Sequence, residues 1–457
     1  MWGYIASFRW LLPIALIAAP ACMHRIVPPP SPVEAGLKPV EIIDPIGEAK
    51  ADQAWNMEDL FLLGERIRQS NKPAELPPKR SALVLSGGGC YGAYSAGVLV
   101  GWTQSGTRPV FDVVTGISTG ALIAPLAFMG SAYDAQLREV YTTLKSTDVF
   151  LIRKRIRTLF REGLADSGPL ARQIERMITP ELLAQIAAEH AKGRRLYVGT
   201  TDLESRRSVQ WDMGEIASRG TPADLELFRK VLLASSAIPG FFPPVKIPIT
   251  VDGQPYTERH IDGGVTSALF FRPPYISMEW KNHPVIASLY GSDVYIIVAG
   301  KLYADPQTVS PRALIIAANS VSTLIYSQTR GDLLKLYMAC ILTGMNYSMT
   351  AIPGDFPAPS TSTDFDPVEM TKMFNEGSAR ALAGTAWRNT PPGLERGEGT
   401  MIRVGTTLTR IDLGSPDAKP RPSGIIQWLN AMMDPEPAKQ ALPAPIVPVD
   451  AREPVSR

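Results

Sequence analysis

Between residues 81 and 300 the chain alternates short apolar runs with longer stretches whose apolar positions recur every three or four residues. The short runs Ser81–Ser86, Phe111–Thr115, Leu196–Thr201, Val209–Met213, Val285–Leu289 and Val294–Ala299 read as strands. The periodic stretches Tyr91–Trp102, Ala121–Met129, Pro180–Lys192 and Ala223–Ser235 read as helices. This alternation predicts an α/β fold, a three-layer α/β/α arrangement around a mostly parallel central sheet. Such folds bind ligands at the carboxyl ends of their strands. Both glycine-rich stretches of this chain directly follow a predicted strand.

The flanks have a different pattern. Residues 23–80 are proline-rich and read as a tether and lead-in, with one short helix near Met57–Gln69. Residues 301–432 read as a helical part packed on the core. Within it, Ser310–Leu342 is one long helical region covering a face of the sheet, with Gly331 as its candidate break. Residues 433–457 are rich in proline and alanine and cannot build a core, so the expectation there is disorder.

Composition adds little and excludes some partners. The chain has 457 residues, 45% hydrophobic and 20% charged, which is ample for a large globular core. A net charge of +2 gives no reason to expect nucleic acid. No Cys/His cluster has metal-ligand spacing, and no cofactor is expected. Cys90 and Cys340 read as small buried hydrophobes rather than as a disulfide.

The chemistry is concentrated in three stretches. The first is Leu83–Gly97, LVLSGGGCYGAYSAG, where Gly87, Gly88, Gly89 and Gly92 let backbone N–H groups approach an anion closely. A dinucleotide is excluded as that anion. The acidic residue at the right spacing, Asp112, opens the second strand instead of closing it. The second stretch is Gly116-Ile117-Ser118-Thr119-Gly120, a GxSxG. Ser118 must occupy a sharp strand-to-helix turn, and Gly116 and Gly120 flank it because side chains there would collide with the neighbouring strand and helix. The N–H groups of Gly87–Gly89 would then form an oxyanion hole for a carbonyl attacked by Ser118.

The third stretch supplies the base. Asp262 is followed by Gly263 and Gly264, so the chain turns sharply beside its carboxylate. An ionised carboxylate within reach of Ser118 can take the hydroxyl proton without an imidazole. The four histidines fit a triad poorly. His24 precedes the serine, His190 reads as a helix-surface residue, and His283 sits in a turn. His260 would share a strand face with Asp262. An esterase using His260 or His283 therefore stays open as an alternative, as does a lipid-binding protein that keeps the fold without turnover.

These stretches resemble the patatin-like phospholipase family. Its marks are a Gly-rich oxyanion loop, a GxSxG one strand later, and a D-G-G or D-G-A carrying a catalytic aspartate. A fourth stretch, Ala234 to Pro244, ASSAIPGFFPP, matches the family's ASxAxPxxFPP segment, and Asp366–Gly393 is similar to the tail of bacterial members. The resemblance covers about Ser81–Gly300. It implies hydrolysis of acyl esters of lipids or phospholipids, with Ser118 as nucleophile, Asp262 as base and no metal. The loop Ile238–Pro244 either lines an acyl channel or packs as an ordinary turn. One position departs from the pattern: Tyr91 stands where the family usually has Arg or Lys, whose charge would raise the positive potential near the oxyanion.

The amino terminus suggests export. Arg9 precedes an apolar stretch, Trp10–Ala19, and a small-residue exit, so residues 1–22 read as a signal peptide. Ala19-Pro20-Ala21-Cys22 resembles a bacterial lipobox, which implies lipidation of Cys22 and a membrane-anchored lipoprotein. Leu151–Gly163, LIRKRIRTLFREG, reads as a solvated basic helix face, with a lipid surface as its alternative partner.

Overall fold

The structure is a computed structural model that describes residues 57–70, 72–152, 162–271, 288–306 and 309–393. The expectations for the signal peptide, Cys22, His24, His283, residues 153–161 of the basic stretch and the tail 433–457 fall outside these residues. Contacts group the chain into two units, 40–305 with 309–457 and 1–39 with 306–308. Every element named below belongs to the first.

Eight strands form one sheet: β1 Ser81–Leu85, β2 Val113–Ile117, β3 Arg195–Asp202, β4 Arg207–Asp212, β5 Val245–Val251, β6 Gln254–Asp262, β7 Asp293–Ile297 and β8 Asn346–Thr350. The order is β8-β7-β1-β2-β3-β6-β5, with β4 on the other edge of β3. From β8 to β3 the pairs are parallel, while the pairs β3–β4, β3–β6 and β6–β5 are antiparallel. The mostly parallel sheet expected from the alternation is present, and the β5–β6 hairpin is an addition to it. The edge strand β8 lies beyond residue 300. At the far end of the expected strand Val285–Leu289, Ser288 and Leu289 are helical, and 285–287 are outside the described residues.

Helices cover both faces. They are α1 Met57–Ser70, α2 Gly92–Gln104, α3 Thr119–Met129, α4 Asp134–Thr143, α5 Gly168–Met177, α6 Pro180–Ala191, α7 Met213–Arg219, α8 Pro222–Ser235, α9 Ala313–Thr343 and α10 Pro367–Leu382. Alternation along β1 shows why two layers are needed. Leu83 and Leu85 belong to the larger core with α2, α3 and α10, whereas Ala82 and Val84 face the core built with α9. Residues Leu151–Ile152, the start of the basic stretch, form a two-residue ladder with Ala165–Asp166 instead of a helix.

Two helices differ from expectation in informative ways. α1 is more than a lead-in: Gly64 packs on Ile341 of α9, and Arg68 donates to the Asn346 side chain. α9 runs unbroken through Gly331. The flanking charges anchor it instead of interrupting it. Arg330 donates to the Leu302 carbonyl at 2.9 Å, and the buried Asp332 carboxylate accepts the Ala268 N–H at 2.8 Å.

The crossing of α2 and α10 is set by glycine. A Cβ on Gly97 would run into the Phe374 carbonyl, and one on Gly101 into the Ser378 carbonyl. Gly97→Ala is expected to cost about 1–3 kcal/mol by forcing the helices apart. Gly331 has open space around it within an ordinary helix. Gly331→Ala is therefore expected to gain about 0.5–1 kcal/mol. Urea denaturation of both variants checks the opposite signs.

Candidate active site

Ser118, the candidate nucleophile, sits at the strand-to-helix turn that its motif predicts. Ser118 ends β2 and begins α3 with φ 54°, one of few non-glycine residues in that region. The neighbours make this turn possible. A Cβ on Gly116 would collide with the Gly120 carbonyl, and one on Gly120 would come 2.5 Å from the Leu85 carbonyl oxygen. The turn also places the start of α3, with its positive dipole end, beneath Ser118.

The glycine loop after β1 lies against this turn. A Cβ on Gly87 would be 3.0 Å from Ser118 Cβ and 3.7 Å from Oγ. Gly89 has φ 54°, and a side chain there would strike the Ser362 carbonyl. The Gly87, Gly88 and Gly89 N–H groups donate to no acceptor among the described residues, while Cys90 N–H donates to Ser362 O at 2.8 Å. Gly92 lets α2 start against Thr119 and Tyr141.

Asp262 reaches Ser118 through strand topology. β2 pairs with β3 from Arg195 to Gly199, and β6 pairs with β3 from Thr200 to Asp202. β4 fills the opposite edge of β3 from Tyr197 to Asp202. β6 must therefore join on the edge that β2 uses, immediately beyond the end of β2. The two strands meet end to end, Ile117 opposite Gly199 and Asp262 opposite Thr200.

There the Ser118 hydroxyl lies close enough to the Asp262 carboxylate to favour its ionised form. The Gly264 N–H donates to Asp262 Oδ1 at 2.8 Å. A Cβ on Gly264 would lie 3.0 Å from that oxygen, and one on Gly263 would meet the Gly199 carbonyl. Both groups are buried, Ser118 at 8% and Asp262 at 6% exposure. Burial raises the Asp262 carboxyl to about 6, with the Gly264 N–H bond and the nearby Ser118 hydroxyl pulling the other way.

Residues given no role from sequence hold the pair together. Ser235 Oγ accepts the Ser118 N–H at 3.0 Å and donates to the Gly199 carbonyl at 2.7 Å. Ala237 O accepts the Asp262 N–H at 2.9 Å. One short segment thus grips the nucleophile, the strand beside it and the acid. Its signal was the ASSAIPG match. Thr363 and Phe365, from the loop before α10, had no local signal, yet they line the cavity at Ser118.

That cavity is apolar. Its volume is about 80 Å³, and Gly89 and Ser118 sit in its wall. Leu122, Leu126, Ile238, Phe241 and Phe242 line it, and no charged side chain does among the described residues. Of the two readings left open for Ile238–Pro244, cavity lining therefore holds for three of its residues.

The other singled-out residues lie elsewhere. His260 is fully buried, with Nδ1 on Thr200 Oγ1 at 3.0 Å and Nε2 on Glu258 at 3.0 Å, and it stacks edge-on against Trp211. His190 contacts Asp212 and Glu215. The Asp112 carboxylate accepts the Ser81 N–H at the amino edge of the sheet, away from the glycine loop. Tyr91 is buried and its hydroxyl donates to the Pro359 carbonyl at 2.6 Å, bracing the loop that carries Thr363 and Phe365. Cys90 and Cys340 are buried free thiols in separate core clusters, each pushed up to about 12 by burial.

The raised carboxyl carries a stability cost. Asp262 favours the folded state most below its unfolded value near 3.8, and that contribution is lost as pH rises through about 6. At neutral pH the buried charge costs roughly 3 kcal/mol. Asp262→Asn is therefore expected to raise the urea midpoint at pH 7.5 and to leave it nearly unchanged at pH 4. Ser235→Ala removes both bonds that hold the turn and is expected to lower kcat about 10-fold or more, with KM little changed. Steady-state kinetics on a soluble ester check this.

A sequence model of the patatin-like phospholipase family matches residues 83–275. No curated protein matches the chain significantly. Among solved structures the chain is similar to VipD from Legionella pneumophila, at 14% identity and a TM-score of 0.32, covering 68% of this chain and 67% of that one. It is also similar to ExoU of Pseudomonas aeruginosa, solved with SpcU, at 12% identity and a TM-score of 0.20 over 68% of this chain. This chain spans 52% of that one. Residues 83–275, the stretch that the patatin-like phospholipase model matches as a domain, carry the glycine loop, the serine turn, the clamping segment and Asp262 described above.

Proposed function

We propose that the chain is a serine acyl hydrolase that cleaves acyl esters of lipids through a Ser118–Asp262 dyad. The observation that carries this reading is the meeting of Ser118, on its strained turn, with a buried Asp262 where β2 and β6 end, beside an apolar cavity of acyl-chain character. The acyl chain lies along Leu122, Leu126 and Phe241 with the ester carbonyl at Ser118. Ser118 Oγ attacks the carbonyl carbon as its proton passes to Asp262. The oxyanion is held by N–H groups of Gly87, Gly88 and Gly89 and by the amino end of α3, each good donor contributing on the order of 3 kcal/mol.

Asp262 then gives the proton to the departing alcohol oxygen, leaving an acyl-enzyme on Ser118. A water enters, Asp262 takes its proton, and the resulting hydroxide attacks the acyl carbon. Collapse of that second tetrahedral intermediate releases the fatty acid and returns the proton to Ser118. An acid near 6 suits a base working at neutral pH.

A reading without turnover draws on Tyr91, which places no charge where the family usually has a cation. A fluorophosphonate probe separates the two, since it labels only an activated serine. The hydrolase reading expects labelling of wild type, none of Ser118→Ala, and release of fatty acid from a phospholipid panel by wild type alone. It also expects kcat/KM to fall roughly 10-fold per pH unit below about pH 6 as Asp262 is protonated. Full activity in Ser118→Ala, or a flat pH profile down to pH 4.5, overturns it. For localisation we propose export and lipid anchoring at Cys22, supported by the sequence Trp10–Cys22. In bacterial cells, metabolic labelling with palmitate is expected for the wild type and absent for Cys22→Ser.

A further inference from the structure

α9 is far longer than the layer it covers. Its 31 residues span roughly 46 Å, whereas the five-residue strands β7 and β8 span about 17 Å. The helix connects the carboxyl end of β7 to the start of the parallel β8, so it descends from the rim that bears Ser118. Leu333, Leu336, Tyr337, Cys340 and Ile341 are buried on the sheet. Arg330 and Asp332 are tied at rim level, to Leu302 beyond β7 and to Ala268 beyond the Asp262 turn. Everything amino-terminal of this point extends past the rim.

The projecting part has an unusual surface. From Ala313 to Thr329 the helix has no charged side chain, and Arg312 and Arg330 bound it. Ile316, Val321, Leu324 and Ile325 are exposed, Leu324 at 66%. A helix facing water normally carries a charged face, and a contiguous exposed apolar surface marks an interaction site. No described helix is long and apolar enough to cross a membrane.

We propose that this half of α9, Ala313–Ile325, docks the protein on a lipid bilayer by entering the boundary between headgroups and acyl chains. Charge complementarity favours that occupant. An uncharged apolar prong suits the acyl layer, and the exposed Arg312 at its start suits the phosphate level. Its position favours it too, because a prong on the rim of the serine site sets the cavity mouth against the surface that holds the substrate. The proposal rests on the lipid hydrolase reading for its choice of partner.

The test separates the two. In the full chain carrying Ser118→Ala and Cys22→Ser, a polarity-sensitive fluorophore is attached at Leu324→Cys, the two remaining cysteines being buried. Phosphatidylcholine vesicles are expected to shift its emission to the blue and raise it about threefold or more, while the same dye at Lys192→Cys, by the opposite edge of the sheet, stays unchanged. Catalysis plays no part in this signal. An unchanged signal at Leu324→Cys overturns the proposal, as does a signal that grows with protein concentration without lipid, which would assign the surface to a second copy. In the active chain, Ile316→Glu with Leu324→Glu is expected to lower vesicle hydrolysis about 10-fold and leave hydrolysis of monomeric p-nitrophenyl butyrate within about twofold. Equal vesicle hydrolysis in that double variant also overturns it.

Discussion

The site depends on one junction in the sheet. β2 and β6 run in opposite directions along the same edge of β3 and stop where they meet. A parallel strand ending at a serine and an antiparallel strand ending at an aspartate thereby bring Ser118 and Asp262 side by side. The junction leaves no room for side chains, which is why Gly116, Gly120, Gly263 and Gly264 surround it. β4, on the far edge of β3, closes the alternative position for β6.

The same crowding sets the electrostatics. Packing tight enough to exclude water raises the Asp262 carboxyl, and the Gly264 N–H bond and the nearby Ser118 hydroxyl limit the rise. The result is a carboxyl that is ionised at neutral pH yet more basic than an exposed one. Stability and chemistry oppose each other at this residue, as expected where a charge is buried for use. The clamp from Ser235 to Ala237 holds both partners, so the pair acts as a rigid unit rather than as two loops that must find each other.

The layers outside the family-matched stretch complete the cavity. The loop carrying Thr363 and Phe365 crosses the glycine loop, accepting the Cys90 N–H at Ser362 and the Tyr91 hydroxyl at Pro359. Tyr91 thus serves as a brace between the two loops. α10 is locked to α2 by backbone contacts at glycines, which fixes the far end of that loop.

Local physics made much of this readable in the residues alone. The strands β1, β2, β3, β4 and β7 and the helices α2, α3, α6 and α8 follow from periodicity, because each buries a face that its own sequence must supply. Ser118 and the glycines beside it were legible because a strained turn and a close backbone approach admit so few residue types. Asp262 was legible as a candidate only, since an aspartate before two glycines occurs in many turns. Its contact with Ser118 was decided by which edge of β3 the hairpin joins, a fact about pairing between segments far apart in the chain. The burial that tunes its carboxyl, the clamp at Ser235, the wall from Thr363 and Phe365 and the overshoot of α9 were decided in the same way. Each depends on what lies opposite a residue in space, and neither the period nor the composition of a segment encodes its distant neighbour.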